Sequence, residues 1–205
     1  MTAGAGAVVG SMALVEQTPW IMNGTLRENI LFGRDYNEEY YNKVISACAL
    51  AEDINNWAKK DLTVIGERGI NISGGQKARL ALARAVYSKA DIYILDDPLS
   101  AVDAHVKRHI LEHVIMDSGL LAGKIRIVST NMQNLLPYFD KVLTLDGSRS
   151  VSVSQHTRHD YQLAEEDADI VPGNDNAHAK ESNNDNVTSQ LSDALDDTSY
   201  ECDED

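Results

Sequence analysis

Ser73-Gly74-Gly75-Gln76 stands at the head of "SGGQKARLALARAVYSKA", an alanine-rich run with strong helix propensity, so these four residues sit where a helix begins. The first amide N–H groups of a helix have no partner inside it, and the helix dipole adds positive potential, so the site favours an anion. Two glycines let the backbone approach a phosphate closely, and Ser73 can cap the helix at the same time. Farther on, the apolar run Ile92-Tyr93-Ile94-Leu95 ends in two carboxylates, Asp96 and Asp97. An acid at the C-terminal end of a buried strand holds Mg²⁺ in phosphoryl-transfer sites, directly or through water. Each motif also has a plain structural use. Ser-Gly-Gly is an ordinary helix cap after a turn, and a strand can end in Asp before proline without any metal.

Chemistry of this kind needs elements that bring the groups together. "GSMALVEQTPW" reads as a short strand of roughly 5 residues with Gln17 at its end. In "TLRENILFG", Thr25 followed by Glu28 predicts a capping-box helix that ends at Gly33. "NEEYYNKVISACALAEDINNWA" has apolar residues at helical spacing (Tyr40, Val44, Ala47, Cys48, Ala51) and is expected to be one helix. "KKDLTVIGERGINISGG" is a glycine-punctuated loop closing on the helix that starts at Ser73 and stops before Asp91. A strand over "IYILDD", a helix over "DAHVKRHILEHVIM", a strand over "KIRIVST", a short helix over "MQNLLPYF" and a hairpin-like finish over "DKVLTLDGSRSVSV" follow. Alternating units of this sort imply an α/β domain with a mainly parallel sheet, whose ligands bind beyond the carboxyl ends of its strands. Gln17, Asp96, Asp97 and Asn131 all follow strand patterns and are expected to converge there.

Charge divides the chain. Of the formal net charge of −14, the segment from Ser152 to Asp205 carries −13, with fifteen acids against Arg158 and Lys180. That segment lacks Trp and Phe and is dense in Asn, Asp, Ser and Glu, so it cannot bury enough apolar area to offset the entropy of ordering. We expect a domain over residues 1–151 and a disordered acidic tail over 152–205. Ser182 and Thr198 each have an acid three residues on, Asp185 and Glu201, a spacing that suits kinases reading downstream carboxylates, although a solvated spacer is the preferred reading. The balance speaks against nucleic acid as a partner. No apolar run is long enough to span a bilayer, and the first residues lack the basic segment of a secretory signal. Cys48 and Cys202 support neither a disulfide framework nor a metal site, which fits a reducing compartment.

Ile72 through Asp103 resembles, nearly position for position, the signature, Walker B and D-loop segment of ATP-binding cassette (ABC) proteins. The resemblance extends over roughly residues 8–150 and implies ATP and Mg²⁺ as cofactors. It aligns Ser73, Gly74, Gly75 and Gln76 with the signature turn, Asp96 with the Walker B acid and Ser100 to Asp103 with the D-loop. Gln17 in "VEQTPWIMNGTLRENILFG" looks like the Q-loop glutamine, a Mg²⁺ ligand together with Asp96. "TVIGERG" looks like the X-loop that touches the membrane domains of exporters. "QTPWIMNGTLRENILFG" with "DDPLSAVDAHV" is most similar to the first nucleotide-binding domain of C-subfamily, multidrug-resistance-associated transporters in their fungal vacuolar form. Two positions depart from an active ATPase. Asp97 stands where a catalytic Glu is expected, about one methylene farther from an attacking water. Asn131 stands at the switch-histidine position, able to hydrogen-bond a phosphate but not to carry positive charge.

The phosphate loop itself is missing. G-x-x-x-x-G-K-[ST] occurs nowhere; the single Gly-Lys pair, Gly123-Lys124, is followed by Ile125 and preceded by no matching glycine. The resemblance puts that loop beyond the N-terminus of this chain. The expected fold is therefore a truncated P-loop NTPase-like ABC ATPase domain, α/β, with a parallel sheet core and a helical subdomain over about residues 25–88. The expected partners are a second nucleotide-binding domain and the transmembrane domains of an exporter of organic anions or glutathione conjugates, at the cytosolic face of the vacuolar membrane. The alternative is a truncated soluble gene product that acts as an interaction or regulatory partner of another ABC ATPase. In either case the chain alone is expected not to hydrolyse ATP.

Overall fold

In the computed structural model, which describes residues 9–145 and 151–155, the elements are numbered in chain order. The central sheet holds three parallel strands in the order β1 (Met12–Val15), β4 (Ile92–Asp96), β5 (Ile125–Ser129). Met12, Ile92 and Ile125 share one register position, and Val15, Leu95 and Val128 another. Residues alternate between faces along a strand. One face, with Ala13, Val15, Tyr93 and Leu95, is buried in the core. On the other, Met12, Leu14, Ile125 and Ile127 are each more than half exposed.

Between β1 and β4 the chain builds a helical layer: α1 (Leu26–Leu31), α2 (Glu38–Ala47), α3 (Ala51–Asn56) and α4 (Gly74–Tyr87). A two-stranded antiparallel ladder, β2 (Gly24–Thr25) with β3 (Val64–Ile65), ties the start of α1 to the segment before α4. α1 has the expected capping box: the Thr25 hydroxyl accepts from Glu28 N–H at 3.1 Å and Glu28 Oε2 accepts from Thr25 N–H at 2.7 Å. α4 is the central helix, with Leu80, Ala81, Leu82, Ala83, Ala85, Val86 and Tyr87 all buried, which explains its small side chains. α5 (Ala104–Ile110) runs into a π-helical turn at Leu111–Ile115, and a 3₁₀ turn at Gln133–Tyr138 precedes the hairpin β6 (Lys141–Leu145) and β7 (Val151–Gln155).

The single helix expected after Asn37 is two. α2 ends at Ala47 with Cys48 as its C-cap, Ala49 takes the left-handed φ of 53°, and α3 starts afresh at Ala51. Leu50 N–H donates to Ile45 C=O and Ala49 N–H to Ser46 C=O, each at 3.0 Å, which is the Schellman closure of a helix C-terminus. Glycine normally fills that left-handed position; alanine there gives no sequence signal. The hairpin finish is present, and β7 carries its pairing to Gln155, past residue 151. The expected tail from residue 156 on, with Cys202, Ser182 and Thr198, lies outside the described residues; Cys48 is buried as a free thiol. No helix among the described residues is long and apolar enough to cross a membrane.

Candidate functional site

Each carboxyl end of the parallel sheet contributes one group. Gln17 lies two residues past β1, Asp96 closes β4, and Asn131 lies two residues past β5; all three are exposed. Because β4 is the middle strand, Gln17 and Asn131 follow the strands on either side of Asp96, at the end of the sheet where folds of this type bind ligands. Ser129, opposite Asp96 in the ladder, donates its hydroxyl to Asp96 Oδ1 in a short hydrogen bond, which holds the carboxylate in place.

Asp97 turns sharply out of β4. Its φ of 45° is left-handed, which Asp tolerates better than most residues. Its N–H donates to Ser129 C=O at 3.0 Å, and its own C=O accepts the Ser100 hydroxyl at 3.0 Å. The side-chain Oδ1 is buried and has no hydrogen-bond partner among the described residues. A buried acceptor of this kind carries a desolvation cost that a proton donor would relieve. Asp103 closes the loop as the N-cap of α5: its Oδ1 accepts from Val106 N–H at 3.0 Å, and that bond holds its pKa below the ordinary carboxylate value.

At the Ser73–Gln76 turn the expected helix start and cap are both present. Ser73 Oγ accepts from Gln76 N–H at 3.1 Å, and Gln76 Oε1 accepts from Ser73 N–H at 2.8 Å. Lys77 N–H goes to Ser73 C=O. That leaves the N–H groups of Gly74 and Gly75 without a hydrogen bond among the described residues, next to a Ser73 hydroxyl proton free to donate. Gly74 is exposed and a Cβ on it would meet nothing within 4 Å, whereas Gly75 is half-buried and a Cβ on it would come to 2.9 Å from Ala101 C=O. Gly75 thus lets α4 seat against the Ser100–Asp103 loop. No hydrogen bond joins this turn to Gln17, Asp96, Asp97 or Asn131 among the described residues, so the fold presents two half-sites rather than one.

Three contributors escaped the sequence reading. Ser129 orients Asp96, and Asp53 with Arg79 brackets the glycine turn: Gln76 Nε2 donates to Asp53 Oδ1 at 2.6 Å and Arg79 Nη1 lies 2.8 Å from Asp53 Oδ2. Arg79 follows Gln76 by one helical turn and so shares its face, a signal open to sequence reading. Asp53 comes from α3, twenty-three residues before Gln76, and no local pattern announces it.

Beside β1 a cleft of about 390 Å³ is lined by Leu14, Trp20, Phe32 and Arg84 among others. Trp20 and Phe32 are 54% and 46% exposed, with ring centroids 5.9 Å apart at 83°, and the Arg84 guanidinium lies 5.2 Å from each ring. Arg84 donates to Asn29 C=O, Asn29 Oδ1 and Trp20 C=O, each at 2.8 Å, so the helix behind the glycine turn also anchors the segment after Gln17. Burial lowers the pKa of Arg84.

Residues 6–100 match the model of the ABC transporter family. The chain belongs to that family. It is 54% identical over 143 residues to the metal resistance protein YCF1 of Saccharomyces cerevisiae, a match covering 70% of this chain and 9% of that protein. It is 55% identical over 138 residues to ATP-binding cassette sub-family C member 2 of Rattus norvegicus (67% of this chain, 9% of that protein) and 48% identical over 150 residues to the Homo sapiens protein of that name (73% and 10%). The matched segment is therefore about a tenth of each relative. A P-loop NTPase-like ATPase domain of C-subfamily type is what this ABC segment represents, and domains of its family in general bind ATP with Mg²⁺. The unbonded amides of Gly74 and Gly75, the carboxylate of Asp96 and the unsatisfied Asp97 Oδ1 are donors and acceptors of the kinds that phosphate, Mg²⁺ and water complement.

Proposed function

We propose that this chain is the part of an exporter's nucleotide-binding domain that follows the P-loop, and that its main catalytic contribution is to a partner domain's site. The observation that carries this reading is the Ser73–Gln76 turn, where capping consumes two amides and leaves those of Gly74 and Gly75 without a hydrogen bond among the described residues. Together with the Ser73 hydroxyl they would hold the terminal phosphate of a nucleotide bound on the partner's P-loop. Gln17 and Asp96 would hold Mg²⁺ at this domain's own site. Bound MgATP supplies the phosphoanhydride whose cleavage drives export. Asp97 occupies the general-base position with an arm short of its water, and Asn131 can bond a phosphate without offering positive charge. This domain's own site therefore mainly binds nucleotide while its signature turn completes the site that hydrolyses it.

The exposed Trp20–Phe32 pair and its cleft suit an apolar helix end from the membrane domains. On family resemblance, the substrates are organic anions and glutathione conjugates moved across the vacuolar membrane. The test mixes the purified chain with a second nucleotide-binding domain that carries a P-loop. We expect the chain alone to release no phosphate and the mixture to turn over ATP faster than the partner alone, with the increase abolished by Gly74→Asp. An absent increase, or one that survives that substitution, refutes the reading.

A further inference from the structure

Of the four amides at the head of α4, whether two or three stay unbonded depends on the orientation of one side chain. Gln76 consumes the Ser73 N–H only if its amide oxygen, and not its NH₂ group, faces back along the helix. An amide group can present either end, and the partner of its far end selects between them. That partner is Asp53 Oδ1, an acceptor 2.6 Å from Gln76 Nε2. Its other oxygen, Oδ2, is buried, has no hydrogen bond among the described residues, and is held by charge alone, 2.8 Å from Arg79 Nη1 in an ion pair whose side chains are only 17% and 15% exposed. Arg79 is fixed in turn, donating from Nη1 to Ala49 C=O in a short bond and from Nε to Gly75 C=O at 3.3 Å. The Ala49 carbonyl is available because the left-handed residue between α2 and α3 turns it out of the helix ladder. One carboxylate on α3 therefore holds both the amide that caps the glycine turn and the guanidinium that grips its backbone.

We propose that Asp53 is a positioning residue for the glycine turn: through Gln76 and Arg79 it holds the turn in the form that leaves the Gly74 and Gly75 amides unbonded as a pair. The role rests on the proposed function for its catalytic consequence, and on the Gln76 hydrogen bond and the Arg79 ion pair for its structural one. Asp53→Asn preserves shape but replaces one of the two oxygens with a donor, so either Gln76 or Arg79 faces a like group. Gln76→Glu sets two carboxylates against each other. Combining it with Asp53→Asn restores a donor–acceptor pair of reversed polarity, while the carboxylate introduced on α4 still accepts from Ser73 N–H.

Two measurements test this, the first of them independent of the proposed function. In ¹H–¹⁵N spectra of the 205-residue chain, Asp53→Asn and Gln76→Glu should each displace or broaden the Gly74 and Gly75 amide signals, leave those of β4 unmoved, and the double variant should return them toward the parent positions. In the mixture with the P-loop domain, Asp53→Asn should lower the stimulated maximal ATP turnover about tenfold, with the chain concentration for half-maximal stimulation unchanged. Glycine signals unmoved by either single variant, or left displaced in the double variant, overturn the role; so does stimulation by Asp53→Asn equal to the parent. If the parent chain fails to stimulate at all, the proposed function falls and the spectra alone decide on Asp53.

Discussion

Adjacent glycines in the Ser73–Gln76 turn serve opposite purposes. Gly75 is small because a backbone carbonyl occupies its side-chain space, whereas Gly74 has free space and an ordinary helical conformation. Glycine in a helix is less favourable than alanine by roughly 0.5–1 kcal/mol, so Gly74→Ala should raise stability by about that amount. Gly75→Ala must push the Ser100–Asp103 loop away and should cost about 1–3 kcal/mol. Urea unfolding of the two variants checks the pair, and shifts of the same sign would contradict it. A glycine that stability disfavours and space does not require is the residue-level mark of a ligand approach.

At the scale of elements, the sheet's two ends are secured differently. The carboxyl ends carry the functional groups, while the opposite end is fastened by Asp91, whose Oδ2 accepts from Ser11 N–H at 3.0 Å and the Ser11 hydroxyl at 2.9 Å and whose Oδ1 meets Lys124 Nζ at 3.2 Å. The Ser11 hydrogen bonds, with Lys124 behind them, draw the Asp91 pKa down to about 2. A depressed carboxylate stabilises the fold fully above its unfolded value of about 3.9 and loses that contribution as pH falls toward its folded value. Between about pH 4 and about pH 2, therefore, the parent should lose stability that Asp91→Asn does not lose, and at neutral pH the variant should be the less stable of the two. Urea midpoints followed across that range check the sign; identical pH profiles for both would remove Asp91 from the clamp. The same scale explains the split of the expected long helix, since Ala49 closes α2 with backbone hydrogen bonds that glycine usually supplies.

For the whole molecule, the outstanding feature is a parallel sheet covered on one side. Parallel sheets occur almost only with both faces buried, yet Met12, Leu14, Ile125 and Ile127 lie exposed on one face, and Leu143 and Val153 form a second exposed apolar pair on the β6–β7 hairpin. An exposed area of this kind marks a surface that binds something or aggregates. The purified chain should bind a dye for apolar surface and scatter light increasingly with concentration. Leu14→Ser combined with Ile127→Thr should reduce both effects while shifting the unfolding midpoint little, as surface changes do. A monomer that binds no dye and melts reversibly would show that this face needs no cover.

Sequence alone determined what depends on local rules. The Thr25 and Ser73 capping boxes, the strand ending at Asp96 and the β–α alternation each follow from residue type at short spacing, because helix ends and buried strands impose the same hydrogen-bonding and burial demands wherever they occur. Membership of the ABC family was legible for a related reason: the glycine turn and the acid-terminated strand are continuous segments. Tertiary structure alone decided which distant groups meet. It brought Asp53 to Gln76 and Arg79, Arg84 to Asn29 and Trp20, and Ser129 to Asp96, and it placed the Ser73–Gln76 turn against Ala101 without a hydrogen bond to the sheet's carboxyl edge among the described residues. Those pairings depend on how helices stack and strands register across tens of residues, and the types of neighbouring residues carry no record of that geometry.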